Sequence, residues 1–187
     1  MEREYDNMKL TEAYNEKLSK IQELYQEAFP AAERKPFEII LEKRQEGAVE
    51  ILALETEEGE FQGLAISVLY KDMVLLDYFA VSPKQRGHGT GSAALRLLKQ
   101  RYADKRFFLE IERTGVEAEN ALQRSRRKEF YLRNGMTVTP LLVELFGTEM
   151  EILTASCQIS YEEYYELYVE VFGKSRMGRK IKLIASE

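Results

Sequence analysis

The sequence predicts an α/β sandwich around one central mixed, mostly antiparallel sheet with a single parallel β-α-β crossover. Three observations carry this reading. Val49 to Glu55, Phe61 to Leu69 and Met73 to Val81 are strand-like runs, and the gaps between them suit only antiparallel hairpins. A glycine-rich segment, Ser82 to Gly91, then breaks the alternation and opens onto a helical pattern. Beyond that helix, Arg106 to Glu112 reads as another strand, and the helical connection makes it a parallel neighbour of Met73 to Val81.

Composition narrows the function classes. The chain has 187 residues, 44% hydrophobic and 32% charged, with a formal charge of −5. This is the make-up of an ordinary globular domain, which excludes disorder, collagen-like repeats and a disulfide scaffold. No apolar run approaches the ~18 residues of a membrane span, and the first twenty residues are too charged for a signal peptide. The acidic balance argues against nucleic acid as a partner, and no membrane partner is expected. The single cysteine, Cys157, forms no internal disulfide and suits a reducing cytoplasm. With one histidine and one cysteine, no metal site is expected.

The elements follow in order. Thr11 is a plausible N-cap for a first helix, whose residues Tyr14, Leu18, Ile21, Tyr25 and Ala28 share one face. That helix ends near Pro30. A turn from Pro30 to Pro36 precedes a short helix over Phe37 to Lys43. After the three-stranded meander, a helix over Ser92 to Tyr102 buries Ala94, Leu95, Leu98 and Tyr102. A polar helix from Glu119 to Arg133 stops at Asn134-Gly135. Met136 to Leu145 and Glu149 to Thr154 are two late strands. Ser160 with Glu163 forms a capping box for a last helix through Phe172, and the basic tail Lys174 to Lys182 pairs or docks. Residues 1–157 are read as one domain, with 158–187 a helical extension packing on it.

The glycine segment carries the first chemistry. Gly87, Gly89 and Gly91 alternate behind Arg86 and ahead of a helix. Glycines let main chain approach a ligand closely, and a helix N-terminus offers free N–H groups and a partial positive charge. The segment is therefore a pyrophosphate cradle or a glycine-rich turn with no ligand. A P-loop would need Gly-Lys-Ser/Thr, but Ser92-Ala93 follow Gly91. Gly89-x-Gly91-x-x-Ala94 matches a dinucleotide fingerprint, yet a meander precedes it and seven residues separate Val81 from Gly89.

Ala80-Val81-Ser82-Pro83, with Arg86-Gly87-His88-Gly89-Thr90-Gly91-Ser92, resembles the acyl-coenzyme A motif of the GNAT N-acetyltransferases. Phe130-Tyr131-Leu132-Arg133-Asn134-Gly135-Met136 is similar to that family's second motif, and the resemblance runs from the first helix to about Thr154. The pair Arg126-Arg127 ahead of Phe130-Tyr131 is similar to a bacterial subgroup. Many relatives carry Asn and Ala where this chain has Arg124 and Arg127, so a cofactor contact by that asparagine does not carry over.

The resemblance implies a sheet that splays at the cofactor, and acetyl transfer from acetyl-coenzyme A to an amine without a covalent enzyme intermediate. It implies that main-chain groups of Phe79 and Val81, flanking Ala80, pair with the pantetheine arm. It also implies that the N–H groups from Arg86 to Ser92, through His88 and Thr90, hold the diphosphate. Tyr131 matches the general acid that protonates the departing thiolate, although a tyrosine between Phe130 and Leu132 is also an ordinary core residue. A lysine-like amine must lose its proton before attack, at a cost of about 4.6 kcal/mol at pH 7. The strand carboxylates Asp77, Glu110 and Glu112 are candidate bases, with Glu112 first, though a solvated strand-end carboxylate is the commoner outcome.

The acceptor, a small-molecule or protein amine, is expected to meet Phe29 to Phe37. The last helix carries an aromatic stripe of Tyr161, Tyr164, Tyr165, Tyr168 and Phe172. Such a stripe packs on the body or on a second subunit, as in a homodimer, more often than it walls a pocket. The rival reading is an acyl-coenzyme A-binding sensor without turnover.

Overall fold

A computed structural model describes residues 8–186. In chain order the elements are β1 (Met8–Glu12), α1 (Asn15–Ala28), α2 (Phe37–Gln45), β2 (Val49–Thr56), β3 (Phe61–Tyr70), β4 (Met73–Val81), α3 (Thr90–Arg101) and β5 (Arg106–Glu112). They continue with α4 (Ala121–Arg133), β6 (Thr137–Leu145), β7 (Thr148–Thr154), α5 (Tyr161–Phe172), α6 (Lys174–Met177) and β8 (Ile181–Ala185). The eight strands run in the order β1-β2-β3-β4-β5-β7-β6-β8, mostly antiparallel with one parallel pair, as the meander and crossover predict. The chain divides into two compact units, residues 8–69 with Leu76–Tyr102, and Tyr70–Leu75 with 103–186.

In the first unit, β2 pairs with β1 and β3 antiparallel. β2 and β3 are apolar on both faces, with Ile51, Leu52, Ala53 and Leu54 buried against Leu64, Ala65 and Ile66. The interior is thus made from the sheet outward, with Ile21, Leu24 and Tyr25 of α1 added to it. α3 buries Ala94, Leu95 and Leu98, and Tyr102 behind it, as the periodicity predicts.

The start of the chain departs from expectation. Thr11 does not cap α1; it lies in β1, and its hydroxyl donates to Glu55 Oε2 at 2.8 Å. The helix begins at Asn15, whose φ of +48° is one that asparagine tolerates better than most residues. Tyr14 therefore precedes the helix and is 58% exposed.

The register of β2 against β3 slips between Leu54 and Glu55, leaving Gln62 as an inserted residue. Beside it, the Ser82 N–H donates to the Gln62 carbonyl at 2.8 Å. A Cβ on Gly63 would overlap the Ala80 carbonyl oxygen and lie 3.1 Å from Val81 Cα. Glycine at 63 is what lets the end of β4 lie where it does.

The second unit is built on β5, β7, β6 and β8, each antiparallel to the next. Arg106 joins the start of β5 to the Tyr70–Leu75 segment. Its N–H donates to the Asp72 carbonyl at 2.8 Å, and its guanidinium grips the Asp72 carboxylate at 2.7 and 2.9 Å. The capping box forms as read: the Glu163 N–H donates to Ser160 Oγ at 3.2 Å, and the Ser160 N–H to Glu163 Oε2 at 3.0 Å. α4 ends at Asn134 and Gly135, the glycine at φ +78°. The basic tail forms α6 and then pairs with β6 as β8, which makes 158–186 a helix-and-strand segment.

We expect Gly63→Ala to cost about 1–3 kcal/mol, the usual penalty of forced overpacking, read as a shift in urea midpoint. An unchanged midpoint would mean that the end of β4 yields freely.

Candidate functional site

In the first unit, β4 leads through one tight helical turn, Pro83–Gln85, into the glycine segment. The Gln85 N–H donates to Ser82 O at 2.9 Å and the Arg86 N–H to Pro83 O at 3.4 Å, which folds the chain back toward α3. Gly87 and Gly89 then take φ of +81° and +82°. Space around Gly87 is open, so left-handed backbone, not crowding, is what calls for glycine there. Gly89 caps α3, and its carbonyl accepts from Ala93 N–H at 3.0 Å.

No side chain caps that helix start, and its first turn carries no acidic residue. The first N–H groups of a helix have no partner within it. Arg86, Gly87, His88 and Gly89 are exposed, Gly91 and Ser92 half-buried, and Thr90 buried. This is a stretch of main-chain donors at a positive helix end, which fits a diphosphate. One sequence-assigned group is engaged differently. The Val81 carbonyl accepts from Arg86 Nε at 3.1 Å, so that lone pair is taken by the protein.

The same unit orders the segment before α2. Tyr25, Phe29, Phe37 and Tyr78 cluster with ring centroids 4.7 to 5.7 Å apart. Burial raises the Tyr25 phenol well above its ordinary value, so it is a permanent donor, and it donates to Lys35 O at 2.9 Å. Tyr78 Oη accepts from Lys35 N–H at 3.0 Å and donates to Glu33 O at 3.1 Å. Lys35 Nζ lies 2.8 Å from both oxygens of Asp77. Asp77 is thus an ion-pair partner holding the 33–36 segment to β4, which leaves it poorly placed to act as a base.

In the second unit, Tyr131 is 8% exposed, and burial pushes its phenol up to about 12, with the Arg127 charge pulling slightly the other way. No hydrogen bond to its hydroxyl forms among the described residues. It is a protonated phenol at neutral pH whose proton is not committed to a protein acceptor.

Glu112 is not solvated. Its Oε1 lies 2.7 Å from an Arg124 guanidinium nitrogen, and its Oε2 accepts from Asn120 at 3.2 Å with Arg127 at 3.7 Å. Arg124 and Arg127 clasp this carboxylate and tie α4 to β5. With Arg124 at one oxygen and Arg127 near the other, Glu112 is an anchor of α4. Lys128 adds a second tie through Glu151, which also accepts from Thr114 N–H at 2.7 Å.

Glu110 accepts from the buried hydroxyls of Tyr164 at 2.5 Å and Tyr168 at 2.6 Å. The aromatic stripe of α5 therefore packs on the body of its own unit. Its helical spacing was readable in sequence, but its carboxylate partner was not. Among the described residues no group of three His, Cys, Asp or Glu side chains converges to hold a metal ion, and no helix is long and apolar enough to cross a membrane.

Comparison with known proteins bears on these geometries. The model of the acetyltransferase (GNAT) family matches residues 18–134, well over half the chain. The chain belongs to this family. GNAT structures also share its fold. A Bacteroides thetaiotaomicron protein assigned to the GNAT family aligns with a TM-score of 0.72 at 19% identity, covering 88% of this chain and 98% of that one. Spermidine N-acetyltransferase from Vibrio cholerae, in complex with CoA and spermine, aligns at 0.64 with 12% identity, covering 80% and 95%. A dodecameric form of that Vibrio cholerae enzyme aligns at 0.61 with 13% identity, covering 85% and 96%. No curated protein gives a significant match.

We expect Glu112→Gln to lower stability by about 1–3 kcal/mol, because it weakens a largely buried ion pair. Unchanged stability with lost activity would return Glu112 to the role of base.

Proposed function

We propose that the chain transfers an acetyl group from acetyl-coenzyme A to a primary amine of a small molecule or protein by direct attack. The observation that carries this reading is the uncapped start of α3 behind two left-handed glycines, directly after β4. Bound there, acetyl-coenzyme A supplies the acetyl group and a thiolate leaving group. The N–H groups from Gly87 to Ser92 hold its diphosphate, with Arg86 and Lys84 adding charge. The main chain of Phe79, Ala80 and Val81 takes the amides of its arm in the manner of an added strand. In this reading the Arg86 guanidinium, whose Nε donates to the Val81 carbonyl at 3.1 Å, meets the diphosphate with its outer nitrogens.

The amine nitrogen, already neutral, bonds to the acetyl carbon as the carbon–sulfur bond breaks. Tyr131 gives its proton to the departing sulfur, and the new amide nitrogen loses its extra proton to water. A thiolate of pKa about 8.5 leaves moderately well unaided, so the acid contributes at the low end of its usual range. The paired Arg126-Arg127 supports placement among the bacterial members, and the lone thiol of Cys157 supports a cytoplasmic setting.

One observation favours the rival reading, an acyl-coenzyme A-binding module without turnover: Asp77 and Glu112 are both locked in ion pairs. Calorimetric titration with acetyl-coenzyme A, NAD and ATP, followed by thiol release over a panel of amines, separates the readings. We expect heat with acetyl-coenzyme A alone, and turnover. Tight binding without turnover throughout would favour the module, and a response only to NAD would overturn both.

Tyr131→Phe should lower kcat about 100-fold with little change in acetyl-coenzyme A affinity. Because burial raises the phenol to about 12, the wild-type rate should show no falling limb from Tyr131 below about pH 11. Equal turnover in the variant would remove Tyr131 as the acid.

A further inference from the structure

Arg34 sits in the segment between α1 and α2, and its main chain is fixed on both sides. The Glu33 carbonyl accepts from Tyr78, while the Lys35 N–H and carbonyl bond to Tyr78 and Tyr25. Both tyrosines are buried, and Tyr78 lies on β4, one residue before Phe79. Arg34 is extended, at φ −88° and ψ 131°, and is half-buried. Its side chain thus projects from a rigid base joined to the strand proposed to carry the acyl arm.

Arg34 Nε is buried and, among the described residues, has no hydrogen-bond partner. The neighbouring charges do not serve it, because Lys35 and Asp77 neutralise each other through contacts of 2.8 Å to both carboxylate oxygens. A buried N–H donor without an acceptor is costly, and native proteins seldom leave one so. A guanidinium presents its donors in a planar fork whose spacing matches the two oxygens of a carboxylate. Nε and one terminal nitrogen form one tine pair of that fork. An arginine poised in this way has the wrong sign for a purely cationic ligand.

We propose that Arg34 binds a carboxylate on the acceptor, so that the amine acetylated is an amino acid or a similar carboxylate-bearing amine. This rests on the acetyltransferase reading and narrows its substrate. It sets the chain apart from enzymes whose acceptor carries only amines. Arg34 is a specificity residue, because it grips the acceptor away from the reacting nitrogen and touches neither the thioester nor the diphosphate.

The test compares matched pairs that differ by one carboxylate: lysine against cadaverine, and ornithine against putrescine. Binding to the wild type, Arg34→Gln and Arg34→Lys is followed by ligand-observed NMR both without and with saturating coenzyme A, and thiol release is measured with acetyl-coenzyme A. We expect the carboxylate-bearing member to have the higher kcat/KM, by about 10- to 100-fold, the worth of a charged hydrogen-bonded pair. Arg34→Gln should abolish that preference through KM, and Arg34→Lys should restore it only in part. Thermal stability should be unchanged or raised in Arg34→Gln, because the variant removes an unsatisfied donor. Preference for the diamines, or equal losses for both members of a pair, would overturn the proposal. The binding comparison without coenzyme A needs no turnover. Absence of acetyl-coenzyme A binding would therefore defeat the acetyltransferase reading, while the ligand pairs would still decide the role of Arg34.

Discussion

The first turn of α3 holds main-chain donors that no side chain among the described residues caps. A helix end of this kind is stable in water only because solvent or a ligand takes its N–H groups. Everything N-terminal to it is arranged so that this end is open. Gly87 and Gly89 turn the chain through left-handed backbone, and the tight turn at Pro83–Gln85 reverses its direction. Gly63, without a side chain, admits the Ala80 carbonyl, so β4 delivers the segment at a fixed height. Buried strands thus set the position of a loop whose own residues are exposed.

The second unit shows the complementary principle, in which polar groups are tied up rather than left open. α4 is fixed by Arg124 and Arg127 on Glu112 and by Lys128 on Glu151. Fixing that helix fixes Tyr131 near its end, and burial then keeps the phenol protonated. Glu110 and Glu112, two of the carboxylates the sequence offers as bases, are engaged inside this unit by Tyr164 and Tyr168 and by Arg124.

Much of the fold was legible because its signals are local. β4 and β5 begin and end where their alternation does, and the capping box at Ser160 and the stop at Asn134-Gly135 act over three or four residues. The misreadings share a cause, partners distant in sequence. Thr11 looks like a cap, but its hydroxyl is claimed by Glu55, 44 residues away. β1 and β8 are five residues each at the two ends of the sheet, and only pairing with β2 and β6 makes them strands. Asp77 and Glu112 read as free carboxylates because Lys35 and Arg124 reach them from other elements. The orphaned Nε of Arg34 has no sequence signal at all, since an unmet donor is a property of packing.

The most direct test of the central claim is a ¹⁵N-resolved titration of the protein with coenzyme A, following backbone amide shifts. The largest changes should fall on Gly87, Gly89, Gly91 and Ser92, with smaller ones along Phe79 to Val81. Saturable binding whose largest shifts lie elsewhere, with the start of α3 unmoved, would contradict it.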